Sequence, residues 1–169
     1  MPEKKPLLWH SNAPWTSTGY GQQTALFLPP LADHYNLAVS AFYGLEGNVL
    51  PWNEIPVLPG MSGTYGNETI TEHSRRFFGD APSFVFTLMD VWVLDPAIWG
   101  RLNVASWVPV DHEPAPDPVR DFLAHSGSIP IAMSRFGEKQ LADLDPLYVP
   151  HAIDTSVLRP LDRSECREE

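Results

Sequence analysis

Short apolar runs recur along the chain, each closed by Gly, Pro or polar residues and followed by a stretch with helical spacing. That rhythm predicts an α/β sheet whose strands are mostly parallel. The runs at 7–9, 37–42, 55–58, 84–89, 104–110, 129–133 and 147–149 make about seven strands. Phe84-Val85-Phe86 and Trp107-Val108 are apolar at consecutive positions rather than alternating, as expected where helices cover both faces of a sheet.

Between the strands, 21–28, 69–78, 118–125 and 136–144 have helical character. Ile70, Phe77 and Phe78 fall on one helical face. Pro29 and Pro30 lack a backbone N–H and should end or kink the first helix. Asp117 and Ser134 are of the residue types that cap helix N-termini, and Pro118 suits a first turn. The stretch 44–66, rich in Gly and Pro, reads as long connections around one short strand, and 161–169 is polar with no apolar partner.

Composition narrows the function. A hydrophobic fraction of 43% excludes a disordered chain, and 169 residues suffice for one core. With 11 Lys and Arg against 21 Asp and Glu, the net charge of -10 argues against nucleic acid and against an anionic membrane surface as partners. The longest apolar stretch, 84–94, is broken by Asp90 and is far shorter than the ~18–20 residues of a membrane span. The N-terminal residues lack the apolar core of a secretory signal, and the single Cys166 cannot form an internal disulfide. The expected location is cytoplasmic.

In a parallel sheet, ligands bind beyond the carboxyl ends of the strands. The residues following each run are therefore the candidates: His10, Ser11 and Asn12; Asp90; Asp111, His112 and Glu113; Ser134 and Arg135; His151 and Asp154. Gly19-Tyr20-Gly21 stands between the first strand and first helix, where small residues let backbone N–H groups approach a phosphate. The dinucleotide fingerprint is incomplete, because position 24 is Thr24 and no acidic residue closes the second strand at Phe42-Tyr43-Gly44. Asp111-His112-Glu113 is the densest ionisable cluster, suited to acid/base work or to gripping hydroxyls. A His-Glu-x-x-His zinc motif fails at Pro116, and neither a Gly-x-Ser-x-Gly elbow nor a P-loop is present. Of the six tryptophans, Trp9 and Trp107 read as core, while Trp15 and Trp52 lie in expected loops and suit ligand contact.

The segment Pro130-Ile131-Ala132-Met133-Ser134-Arg135-Phe136-Gly137, followed by Tyr148-Val149-Pro150-His151-Ala152-Ile153-Asp154-Thr155 and Leu158-Arg159-Pro160, resembles a family motif. It is similar to the strand-Ser-helix unit and hinge of family 4 (group 1) glycosyltransferases of the GT-B fold. Ala152 and Leu158 stand where that family usually has Gly and Phe. The resemblance runs from about Leu7 to Pro160 and implies a Rossmann-like N-terminal, acceptor-side lobe over 1–160. Residues 161–169 would then begin a linker to a C-terminal donor-binding domain that this sequence does not include.

The resemblance further implies retaining transfer of a sugar from a nucleotide-diphosphate donor to an acceptor, with no metal and no cofactor beyond that donor substrate. By position, Gly19, Tyr20 and Gly21 would face the diphosphate or the attacked sugar. His112 would contact the donor sugar, with Asp111 and Glu113 orienting it or the acceptor. Ser134 and Arg135 would face the interdomain cleft, and His151 and Asp154 would belong to the crossover. A lobe of this kind is expected to be inactive alone and to self-associate through an exposed apolar patch. The alternatives are a non-catalytic module binding a sugar or a partner, and a lobe of a nucleotide-sugar epimerase.

Overall fold

A computed structural model describes residues 4–61, 63 and 65–167. The chain forms one eight-stranded, mostly parallel α/β sheet with helices on both faces, a Rossmann-like fold. In chain order its elements are β1 (Lys5–Asn12), α1 (Gly19–Ala32), β2 (Tyr35–Tyr43), β3 (Leu50–Trp52), β4 (Ile55–Leu58), α2 (Ile70–Phe78) and β5 (Val85–Leu88). There follow α3 (Pro96–Trp99), β6 (Val104–Val108), α4 (Asp117–Ser126), β7 (Ile129–Ala132), α5 (Arg135–Gln140) and β8 (Leu147–Tyr148). Every expected strand is present.

The strand order is β3-β4-β2-β1-β5-β6-β7-β8, with β3 alone antiparallel. The chain builds outward from β1 through β2 to β4, then returns to lay β5 on the other side of β1 and continues to β8. The point of reversal lies between β1 and β5, and the loops leaving their carboxyl ends diverge to opposite faces and leave a crevice.

The two faces of the sheet are covered unequally. Leu8, Val85, Val104 and Val108 pack against Ile70, Trp99, Phe122 and Leu141 from the helices after β4, β5, β6 and β7. Leu7, Trp9, Val39 and Trp107 pack beneath α1 through Leu28 and Phe27. Beyond α1 this second face forms an apolar groove of about 310 Å³, floored by Phe86, Ala105 and Ile131. The core burial of Trp9 and Trp107 is nearly complete, at 1% and 0% exposed.

Several local expectations change. α1 does not stop at Leu28 but runs through Pro29 and Pro30 to Ala32. Both prolines are exposed, so water can take the acceptors they release, while Leu28 and Leu31 hold the final turns to the core. α4 begins at Asp117, so that residue sits in the first turn rather than capping it. Ser134 does cap α5, accepting the Gly137 N–H at 2.9 Å. The 44–66 stretch holds two strands, not one, because Leu50-Pro51-Trp52 pairs with Ile55-Pro56-Val57 across a turn whose Asn53 and Glu54 have positive φ.

Candidate binding crevice at the carboxyl edge

The crevice is built first by the turn after β1. Thr18 caps α1, its hydroxyl oxygen accepting the Gly21 N–H at 3.0 Å and the Asn12 side-chain amide at 2.6 Å. Thr16 donates its hydroxyl to the Ala13 carbonyl at 2.8 Å, folding the turn against the helix. Gly21 is required there, since a Cβ would lie 2.1 Å from Thr16 Oγ1 and 2.6 Å from its carbonyl oxygen. Gly44, at φ +91°, meets the other side of the same turn, where a Cβ would lie 2.1 Å from Thr16 Cγ2. Gly19 has nothing within 4 Å and stands open at the first position of α1. An irregularity in the β1–β2 register sets Asn12 opposite Tyr43, skipping Phe42.

From the other side of the reversal point, β5 delivers Asp90. The Tyr20 hydroxyl donates to Asp90 Oδ2 at 2.8 Å, bridging the two loops. Burial, reinforced by the hydrogen bond and negative charge of Asp90 and by the charge of Asp111, pushes the Tyr20 phenol well above its usual range. Tyr20 therefore stays protonated, and its hydrogen stays committed to Asp90.

Asn12, Thr18, Tyr20, Tyr65, Asp90 and Trp92 are among the walls of a crevice of about 320 Å³. A recess of about 360 Å³ shares Asp90 and Trp92 and extends to Asp111 and His112. Another, of about 430 Å³, shares Phe42 and Tyr43 and extends to Glu46 and Met61. Among the described residues, the carboxylates along this line are Asp90, Asp111 and Glu46, and no Lys or Arg lines it. The surface is acidic and aromatic.

Beneath the crevice, His10 fixes the loop that carries Tyr65. Its Nε2–H donates to the Tyr65 carbonyl at 3.1 Å, which leaves Nδ1 to pair with the Ser40 hydroxyl at 3.0 Å. Ser40 also meets His73 Nδ1 at 2.8 Å, and the Trp99 ring lies edge-on to His10 at 4.9 Å. Gly66 is required above it, because a Cβ would stand 2.3 Å from the His10 ring. Burial pulls the His10 pKa down to about 3, so this imidazole is neutral and structural.

The sequence candidates divide into those the fold gathers and those it separates. Tyr20, Asn12 and Asp90 meet at the crevice, Gly19 and Gly21 flank Tyr20 in the first turn of α1 without lining it, and Asp111 with His112 occupies the adjoining recess. His112 Nδ1 lies 2.6 Å from Asp111 Oδ1 on an exposed loop, while Glu113 faces Lys139 at 4.0 Å. Ser134 is occupied by its cap, and Arg135 pairs with Glu138 and lies 3.8 Å over the Tyr148 ring. His151 stands edge-on to Trp107 at 5.0 Å, its pKa lowered by burial. Asp154 accepts the backbone and side chain of Ser156, which hold its carboxyl below the usual range. Neither of these two lines the crevice.

The tryptophan at the site is Trp92, 59% exposed, rather than Trp15 or Trp52. Trp15 donates its indole N–H to the Gly44 carbonyl, and Trp52 belongs to the β3 edge. The signal for this candidate crevice lies in Asp90 and Trp92, a carboxylate and a large ring in a run otherwise mostly aliphatic or small-aromatic. No helix is long and apolar enough to cross a membrane among the described residues. Comparison with family models, with curated proteins and with solved structures finds no match for the chain.

Proposed function

We propose that this chain is the acceptor-side lobe of a retaining, GT-B-type glycosyltransferase that takes its sugar from a nucleotide-diphosphate donor in the cytoplasm. The observation that carries the reading is the crevice at the β1/β5 reversal, where a glycine turn, hydroxyls, carboxylates and aromatic faces converge. Sugars present apolar C–H faces and hydroxyl edges, and such walls suit both. In this reading Gly19 and Gly21 form the turn beside the donor, Tyr20 and Asp90 position hydroxyls, and His112, oriented by Asp111, reaches the donor sugar.

The leaving diphosphate gains negative charge in the transition state and needs preorganised positive groups. No Lys or Arg among the described residues lines the crevice, and in this reading a second, donor-binding lobe brings them. The exposure of Asp111, His112 and Glu113 also favours a second reading, a sugar-binding module without chemistry of its own. Titration of the chain by heteronuclear NMR with monosaccharides and with nucleoside diphosphates tests the assignment. Sugars should shift residues 18–20, Asp90 and the Trp92 indole, while a free nucleoside diphosphate should bind weakly. Tight nucleoside diphosphate binding with no sugar response would overturn the reading.

A further inference from the structure

The hydroxyls of the crevice's inner wall have spent their hydrogens on one another and on neighbouring acceptors. Thr16 spends its hydrogen on Ala13, so the 3.2 Å contact between Thr16 and Thr18 is filled by the Thr18 hydrogen. Thr18 then receives the Asn12 amide and the Gly21 N–H, which completes it. Asn12 is 5% exposed and its Oδ1 has no hydrogen-bond partner, a buried acceptor whose desolvation is uncompensated. Tyr20 has given its hydrogen to Asp90 Oδ2 and keeps only lone pairs. Asp90 has no ion-pair partner among the described residues.

A ligand satisfying this wall must bring hydrogens, and the field favours one that also brings positive charge. Asp90 stands inside the crevice and Asp111 beside it, with no Lys or Arg among the described lining residues to offset them. Tyr43, Tyr65 and Trp92 add exposed π faces around the same opening, and aromatic faces attract ammonium groups. At the rim, the Trp92 indole N–H and the Tyr43 and Tyr65 hydroxyls suit the hydroxyls of a sugar ring.

We propose that the crevice walled by Asn12, Tyr20, Asp90 and Trp92 holds a protonated primary amine, carried by an amino-sugar acceptor. The amine follows from the unpartnered Asn12 Oδ1, the Tyr20 lone pairs and the Asp90 charge; that the amine is borne on a sugar rests on the glycosyltransferase reading. A neutral sugar would leave Asp90 without a counter-charge, and an acidic sugar would meet like charge along the whole edge.

Calorimetry on the intact chain with glucosamine, glucose, N-acetylglucosamine and cyclohexylamine separates the two parts. Glucosamine should bind at least tenfold tighter than glucose or N-acetylglucosamine, and should weaken as pH rises through its own amine titration. Asp90→Asn should reduce that preference to about twofold or less, and Trp92→Ala should weaken every sugar. Both positions are exposed, and far-ultraviolet circular dichroism checks that the variants fold. Equal binding of glucose and glucosamine would overturn the amine and spare the sugar reading. Cyclohexylamine binding as tightly as glucosamine would uphold the amine and sink the sugar. Silence from all four ligands would overturn the proposal.

Discussion

At the carboxyl ends of β1 and β5, polar side chains, all but Asp90 buried or half-buried, hold one another: Asn12 with Thr18, Tyr20 with Asp90, His10 with Ser40 and the Tyr65 carbonyl. At the ends of β6 and β7 they are largely exposed and pair with near neighbours in sequence, His112 with Asp111 and Arg135 with Glu138. The first half is preorganised by contacts between distant segments. The second carries comparable chemistry on exposed loops, tied to the rest of the chain by surface contacts such as Glu113 with Lys139 and Arg135 over Tyr148. A site whose geometry is set by contacts within one domain can bind alone; one that is not needs another surface to complete it.

The sharpest break in that comparison is expected from pH. An unfolded histidine titrates near 6.5, whereas His10 in the fold titrates at about 3. Between these values the unfolded chain binds more protons, so stability is fully present above about 6.5 and falls as pH drops toward 3. The slope for one such proton is about 1.4 kcal/mol per pH unit. His73, whose pKa burial also lowers, acts in the same direction. Urea midpoints measured from about pH 7.5 down to about pH 4.5 should decline, and His10→Gln should flatten the decline. An unchanged slope in that variant would mean that His10 does not anchor the crevice floor.

Next come the two glycines of the turn. Gly21→Ala forces a Cβ within 2.6 Å of a backbone oxygen, and overpacking of this kind costs about 1–3 kcal/mol. Gly19→Ala meets open space and should stay within about 0.5 kcal/mol. Thermal denaturation of the two variants side by side measures the contrast. Equal losses would show that the turn tolerates a side chain at either position.

A smaller contrast separates the caps on the two halves of the edge. Ser134→Ala removes one cap from α5, worth about 1 kcal/mol. Thr18→Ala removes a cap from α1 and also strands the Asn12 amide, so it should cost about 1 kcal/mol more. Denaturant titration resolves a difference of that size, and equal costs would remove Asn12 from the network.

Legibility in sequence followed the same division. Apolar runs marked seven strands because parallel strands buried on both faces have few other compositions, as β6 demonstrates with five buried residues in succession. β3 escaped because three residues containing a proline carry no periodicity, and α3 because one turn of helix has none either. Tyr20 and Asp90 are 70 residues apart, and only the strand order, which pattern does not encode, brings them together. Ser134 was legible as a cap because a cap acts three residues away. The segment Asp111-His112-Glu113 was the most conspicuous in sequence and is exposed in the fold, since charge density marks exposure as readily as chemistry.

That segment yields the smallest expected effect. His112 and Asp111 are 70% and 85% exposed at their side chains, so water already solvates what the pair would otherwise stabilise. His112→Ala should change stability by less than about 0.5 kcal/mol, measured by thermal denaturation at neutral pH. It should also leave glucosamine binding in the β1/β5 crevice within about twofold, because His112 lines only the neighbouring recess. A loss near that of Thr18→Ala would make the loop part of the domain's own framework and erase the contrast between the two halves. A silent variant would leave His112 as a group held for a ligand outside the preformed crevice, where the proposed reaction needs a second lobe to close over it.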